Sequence, residues 1–150
     1  DFADVPDEPF ARLYYAAFAI AQSVRDNLLF IQRIFTDSAD NIAIANEFLK
    51  SEMEERTRVI VGLLEECAAI DDGVPTATIQ RLGYLSSAVI APMVLGTRFN
   101  SMGLLSDELS RNVGALLTDE AISQRLEWAV CAMFPSRLEC VGIRPDRKKQ

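Results

Sequence analysis

Histidine is absent from all 150 residues. That removes the usual general base near neutral pH, the commonest metal ligand and every nucleophile activated by an imidazole. Cysteine is scarce. Cys67, Cys131 and Cys140 are odd in number and none belongs to a Cys-x-x-Cys pair, so neither a disulfide framework nor a zinc site is expected. Small buried thiols in a reducing, cytoplasmic setting fit this pattern better. Also missing are a Gly-rich phosphate loop and any nucleophile motif. No strand pattern of useful length occurs, and neither does an internal repeat or a low-complexity segment. The expectation is an all-α protein that is not an enzyme, with no catalytic residue, no metal and no cofactor.

Positive charge is also in short supply. Lys and Arg total 15 against 22 Asp and Glu, for a net charge of −7. Four of the basic residues, Arg144, Arg147, Lys148 and Lys149, stand among the last few positions. The body is therefore more acidic than the whole, and an acidic surface repels phosphate backbones. Nucleic-acid binding by this segment alone is not expected. The opening residues, Asp1 to Pro9, are acidic and lack the basic and apolar regions of a signal peptide. Without an initiating methionine, the chain reads as a piece of something longer. What is present is apolar: 49% of the residues, enough for one domain with a sizeable core. Residues 1–143 read as a single helical domain, and 144–150 as a basic flexible tail.

Helical spacing organises most of the chain. Asp7, Glu8 and Pro9 read as an N-cap and first turn, followed by Phe10, Leu13, Tyr14, Ala17, Ala21, Val24 and Leu28 on one stripe. A break is expected near Asp26–Asn27, and a turn with a new cap at Thr36-Asp37-Ser38. A long amphipathic helix from Ala39 to Ile70 is expected to bury Ile42, Ala45, Leu49, Met53, Ile60, Leu63, Cys67 and Ile70. Its outer face pairs Glu47 with Lys50, Glu52 with Arg56 and Glu54 with Arg58. Asp71-Asp72-Gly73-Val74-Pro75 stops it, with Gly73 in the left-handed position. Thr76 or Thr78 caps the next helix, over 79–99, and Pro92 predicts a kink or break near Ala88–Ala91. Asn100–Gly103 is a loop. Ser106 caps a short helix with Leu109, Val113 and Leu116 inward, and Thr118 caps the last one, which Pro135 ends.

Sixteen residues without a charge, Leu82 to Thr97, lie between Arg81 and Arg98. That is short of the roughly 20 needed to span a bilayer, so no membrane partner is expected. Leu82, Leu85, Val89 and Gly96 fall to one side of the helix, and Tyr84, Ala88, Ala91 and Leu95 to another. A helix apolar all round must be covered on both sides, and in so short a chain a second copy can supply one cover. The expected homodimer interface comprises Leu85, Val89 and Leu95, with Leu126, Trp128 and Val130 of the last helix. Trp128 sits off the main stripe of its helix, and reads either as an interface anchor or as a second core contact.

The remaining constellations are weak. The glutamates of the long helix lie mostly off its apolar stripe, which reads as a solvated face rather than a di-metal site. Arg56 is in line with Leu49, Ile60 and Leu63. It is either a stem covering apolar surface or a buried cation paired with a carboxylate or an acidic ligand. Large, shape-tolerant side chains are plentiful, and in a small helical domain they can leave a cavity between helices. The candidate ligand contacts are Phe30, Phe48, Met53, Arg56, Tyr84 and Met93.

The order of these elements resembles the C-terminal regulatory domain of TetR-family transcriptional regulators. The resemblance runs from about Pro9 to Phe134. It is carried by the long helix through NEFLKSEMEERTRVIVGLLEEC, the Asp71-Asp72-Gly73 stop, the apolar RLGYLSSAVIAPMVLGTRF and the final DEAISQRLEWAVCAMF. It implies a helical bundle of about six helices whose last two long helices form a four-helix dimer interface. It also implies a pocket for a small apolar effector. DNA would be a partner only through the family's N-terminal helix-turn-helix domain, which this chain lacks. The competing reading is a helical adaptor that binds another protein and has no small-molecule pocket.

Overall fold

Seven α-helices follow one another through residues 8–135, the part that the computed structural model describes, and no strand occurs among them. They are α1 (Pro9–Asp26), α2 (Leu28–Ala39), α3 (Ala43–Ile70), α4 (Thr78–Val89), α5 (Ala91–Ser101), α6 (Asp107–Asn112) and α7 (Asp119–Met133). A 3₁₀ stretch, Val113–Leu117, joins α6 to α7. The all-α helical bundle expected from the periodicity is what forms. The expected basic tail, Cys140 and the Asp7 cap lie outside the described residues.

Local chemistry sets most of the boundaries. The side chain of Glu8 caps α1 by accepting from the Ala11 N–H at 2.9 Å, Ser106 caps α6, and Thr118 caps α7 by accepting from Ala121. Neither Thr76 nor Thr78 caps α4: its N-cap is Ala77, and Thr78 is already helical. The expected turn at 36–38 is also helical, because α2 runs on to Ala39 and α3 begins only at Ala43. Both α2 and α5 end the same way. The N–H of Ile42 reaches Asp37 O and that of Asn41 reaches Ser38 O, with Asn41 at φ 58°. Leu104 and Gly103 repeat the pattern on Phe99 and Asn100, with Gly103 at φ 69°. Gly73 does not take this role. Its N–H instead bonds the Asp71 carboxylate at 3.0 Å, and that turn ends α3.

Four helices close a ring: α1 packs on α3, α3 on α4, α4 on α7 and α7 on α1. One end of the ring is sealed. There the Phe10 ring meets Phe134 edge-on at 5.2 Å, and the Arg81 guanidinium lies 5.1 Å over the same Phe134 ring. Arg81 also donates to Thr76 O at 3.0 Å. Arg12, near the start of α1, pairs with Glu66, near the end of α3. Leu13, Leu64, Cys67, Leu126 and Phe134 are wholly buried. At the other end Arg25 of α1 bonds Asp119 at the start of α7 and Leu117 O of the 3₁₀ stretch. The helices of the ring therefore alternate in direction.

They do not match in length. The 28 residues of α3 reach about 42 Å at 1.5 Å per residue, whereas the 18 of α1 reach about 27 Å. The first half of α3 thus runs past its neighbours, and α2 packs on it instead. The uncharged run is not one helix. It breaks at Ile90, just before Pro92, and α4 and α5 meet at a bend of 45°. Its two sides are covered within the chain, α4 by α3 and α7, and α5 by α2 and the 3₁₀ stretch. Most of the run is therefore covered within the chain, while Tyr84 and Leu95 stay 49% and 48% exposed. No single helix among the described residues is long and apolar enough to cross a membrane.

Candidate functional site

Where α3 overhangs the ring, the helices enclose a cavity of about 610 Å³. Ala17, Ile20 and Val24 of α1 form one wall, and Phe30, Ile31 and Phe35 of α2 another. The third is α3, through Phe48, Leu49, Glu52, Met53, Arg56, Thr57 and Ile60. Leu82, Leu85, Val89 and Ile90, followed by Val94 and Leu95 of α5, complete it. The floor is core: Ala17, Val24, Ile60, Leu85 and Val89 are buried. The mouth is not. Phe30, Phe35, Phe48, Met53 and Leu95 lie there with 41% to 53% of their surface exposed. Uncovered aromatic and aliphatic surface of this kind, continuous with a cavity, marks a binding site more often than a solvated face.

The lid over this mouth is α2. Only Leu28 of its residues is buried. Three side-chain contacts tie it to its neighbours: the Phe30 ring meets Phe48 edge-on at 5.5 Å, Gln32 Nε2 donates to Thr97 Oγ1 at 2.9 Å and to Val94 O at 3.3 Å, and Ser38 Oγ donates to Asn46 Oδ1. Its ends are Asn27, out of helical conformation at φ −119° and ψ 22°, and the left-handed Asn41. Polar groups on the cavity wall are few. Ser23, Asn27, Thr57 and Ser86 contribute small dipoles. The charged pair is Glu52 and Arg56, one turn apart on α3 and bonded at 3.1 Å. Among the ion pairs of the described residues, it is the one of the three anticipated on α3 that forms.

Of the candidate ligand contacts, Phe30, Phe48, Met53 and Arg56 line this cavity. Tyr84 and Met93 do not. Tyr84 projects from α4 half-exposed, and Met93 is wholly buried in the core. The residues assigned to a dimer interface are redistributed more severely. Leu85 and Val89 are cavity floor, Leu95 is at the mouth, and Leu126 and Val130 belong to the core. A side chain buried within its own chain has no surface to give to a partner. Of that set only Trp128, 63% exposed, faces outward and away from the cavity. Leu109 is likewise exposed rather than inward.

Glu52, Ile31, Phe35 and Val94 were not singled out as ligand contacts by sequence. Glu52 carried a signal, since it sits four residues before the one arginine on the apolar stripe. The other three need the angles at which the chain turns at Asn27 and Ile90; both breaks were expected from the sequence, their angles were not.

Among the described residues no cluster of acidic and cysteine side chains could hold a metal ion. The Cys67 thiol is pushed up to about 12 by burial, with the Glu8 and Glu66 charges adding to the effect, which leaves it a packing group rather than a nucleophile. Burial also raises Cys131. Tyr14 and Ser123 share a hydrogen bond of 2.5 Å that ties α1 to α7. The chemistry on offer is therefore enclosure of an apolar body beside one ion pair. No family model, curated protein or solved structure matches this chain.

Proposed function

We propose that this chain is the effector-binding and dimerisation part of a TetR-type transcriptional repressor, acting in the cytoplasm, with a small apolar effector held between α1, α2, α3 and the α4–α5 pair. The cavity is the observation that carries this reading. Its 610 Å³ falls in the range typical of small-molecule sites, and its walls are apolar with a few polar groups, as such sites are. The order of helices quoted from the sequence supports the family part of the proposal. DNA is then read by a helix-turn-helix domain outside this chain, and effector binding alters the spacing of two such heads.

The homodimer of this proposal uses the outer face of α4 and α7, which lie side by side. Tyr84 and Trp128 are large, half or more exposed, and uncharged. The competing adaptor reading draws support from Leu29 and Ile44, which are 85% and 76% exposed on α2 and α3. One experiment separates the two. A native mass spectrum of the purified chain gives its oligomeric state, and a thermal-shift screen against small apolar compounds tests the cavity. A dimer whose Tm climbs with compound concentration is expected, because only ligand bound to the folded state stabilises it. A monomer indifferent to every compound overturns the proposal in favour of the adaptor.

A further inference from the structure

We infer that the cavity takes an apolar monocarboxylate, its head group on the Arg56 guanidinium and its hydrocarbon body running toward Ile60, Leu85 and Val89. This rests on the cavity being a ligand site and names what fills it. Arg56 and Glu52 are the two charged residues on the wall, so they decide the sign of the ligand. They are not equivalent. At 100° per residue, Arg56 falls within about 15° of the middle of the stripe that α3 presents to the cavity, whereas Glu52 lies about 50° to one side. Arg56 therefore stands on α3 nearer the middle of the cavity wall, and Glu52 on its flank.

The pair is also easy to exchange. Only Nη2 of Arg56 meets Glu52 Oε2, at 3.1 Å, and the two side chains are 40% and 45% exposed. An ion pair so open to solvent holds its partners weakly. A guanidinium carries five N–H donors in a planar fork that matches a carboxylate bidentately. A ligand carboxylate can therefore take the fork while Glu52 turns outward to water. The reverse exchange, with a cationic ligand on Glu52, would require Arg56, nearer the middle of the wall, to turn away from the cavity, so the flanking Glu52 is the partner more readily displaced. The floor beyond Arg56 has no charge to match a second head group, so the ligand has one.

Isothermal titration of the chain with decanoate, 1-decanol and decyltrimethylammonium, each below its micellar concentration, tests this. Decanoate is expected to bind about tenfold tighter than decanol, the size of effect that one charge-assisted contact supplies. In Arg56→Gln that advantage disappears while decanol affinity stays within about twofold, which also shows that the variant is folded. Glu52→Gln, by removing the competing carboxylate, tightens decanoate. Equal affinity for decanoate and decanol overturns the head-group assignment and leaves the cavity reading standing. So does tightest binding of decyltrimethylammonium that is lost in Glu52→Gln, which would assign the site to cations. If none of the three binds, the cavity reading itself falls, and this inference with it.

Discussion

Phe134 and Phe48 are the same side chain in opposite circumstances. Phe134 is wholly buried at the sealed end, edge-on to Phe10 and beneath Arg81. Phe48 lies at the cavity mouth 41% exposed, and its ring partner there, Phe30, is itself half-exposed. The sealed end gathers the start of α1, the end of α3, the start of α4 and the end of α7, and converts its apolar surface into stability. The cavity end holds comparable apolar surface and leaves part of it wet. Unburied apolar area contributes nothing to folding, so the sealed end carries the domain, and the cavity end stays free to gain its burial from a ligand.

The comparison breaks most simply by truncation. Phe134→Ala should cost about 3–5 kcal/mol in urea denaturation, through lost transfer energy and the hole left behind. Phe48→Ala should cost under about 1 kcal/mol, because water already reaches the ring and its neighbours can close. It should nevertheless weaken binding of decanol several-fold. Equal losses of stability would mean that the two ends are packed alike.

A smaller effect is expected at the lid. Gln32→Ala removes the donor that ties α2 to Thr97 and Val94, at about 1–2 kcal/mol for two partly buried hydrogen bonds. The sharper readout is local. Amide exchange should speed up over residues 28–39 and stay unchanged in the second half of α3, around Leu64. Protection lost evenly in both places would show that α2 is part of the cooperative core and not a separate lid.

The core and the cavity end differ in how readily the sequence discloses them. The core was legible, since Phe10, Leu13, Tyr14, Ala17, Ala21 and Val24 recur at helical spacing, and so do Ile122, Leu126, Ala129 and Val130; Ala17 and Val24 also form cavity floor. All are buried in the structure. The cavity end was legible only in its residue types. Phe30, Phe48, Met53 and Arg56 are where shape-tolerant side chains and the one cation on the apolar stripe place them. The rest depends on the overhang of α3, which periodicity does not encode, and on the bend at Ile90, whose place Pro92 marks but whose 45° angle it does not. That bend turned an apparently all-round apolar helix into two helices with different covers. It thereby moved Leu85, Val89 and Leu95 from an expected interface to the cavity wall.

A modest electrostatic contribution ties α1 to α7 at the end of the ring opposite Phe134. The Asp119 carboxyl is held below the usual carboxylate range, first by its hydrogen bond from Arg25 and then by one from Gln22 at 3.2 Å. Arg25 is raised in turn by Asp26 and Asp119. A carboxyl lowered in the folded state favours folding when ionised, so its contribution is complete above the unfolded value of about 3.9 and is lost as pH falls through the lower folded value. Asp119 is 54% exposed, and solvent screening limits the pair to about 0.5–1 kcal/mol. Asp119→Asn should therefore be less stable by that amount at pH 7, with the gap narrowing below about pH 4. Denaturation curves that remain parallel down to pH 2.5, a probe condition well below the ordinary carboxylate range, would remove Asp119 from the account.

Trp128 should give the smallest change in the stability of the single chain and the most informative change in mass. Its ring is 63% exposed on α7, next to α4 and away from both the sealed core and the cavity. Trp128→Ser therefore removes little that the chain itself buries, and a urea midpoint measured at high dilution should shift by less than about 0.5 kcal/mol. If the outer face of α4 and α7 is where two copies meet, the same substitution takes out a large uncharged anchor from the middle of that contact. Sedimentation equilibrium should then report a weakened dimer, with the thermal response to decanol intact because the cavity is untouched. A dimer of unchanged strength would place the contact on another surface, and Leu29 and Ile44 at the cavity end are the largest apolar exposures on α2 and α3. In that case the uncovered end of the molecule would be the one that meets its partner, and the division between a stabilising end and a binding end would become sharper still.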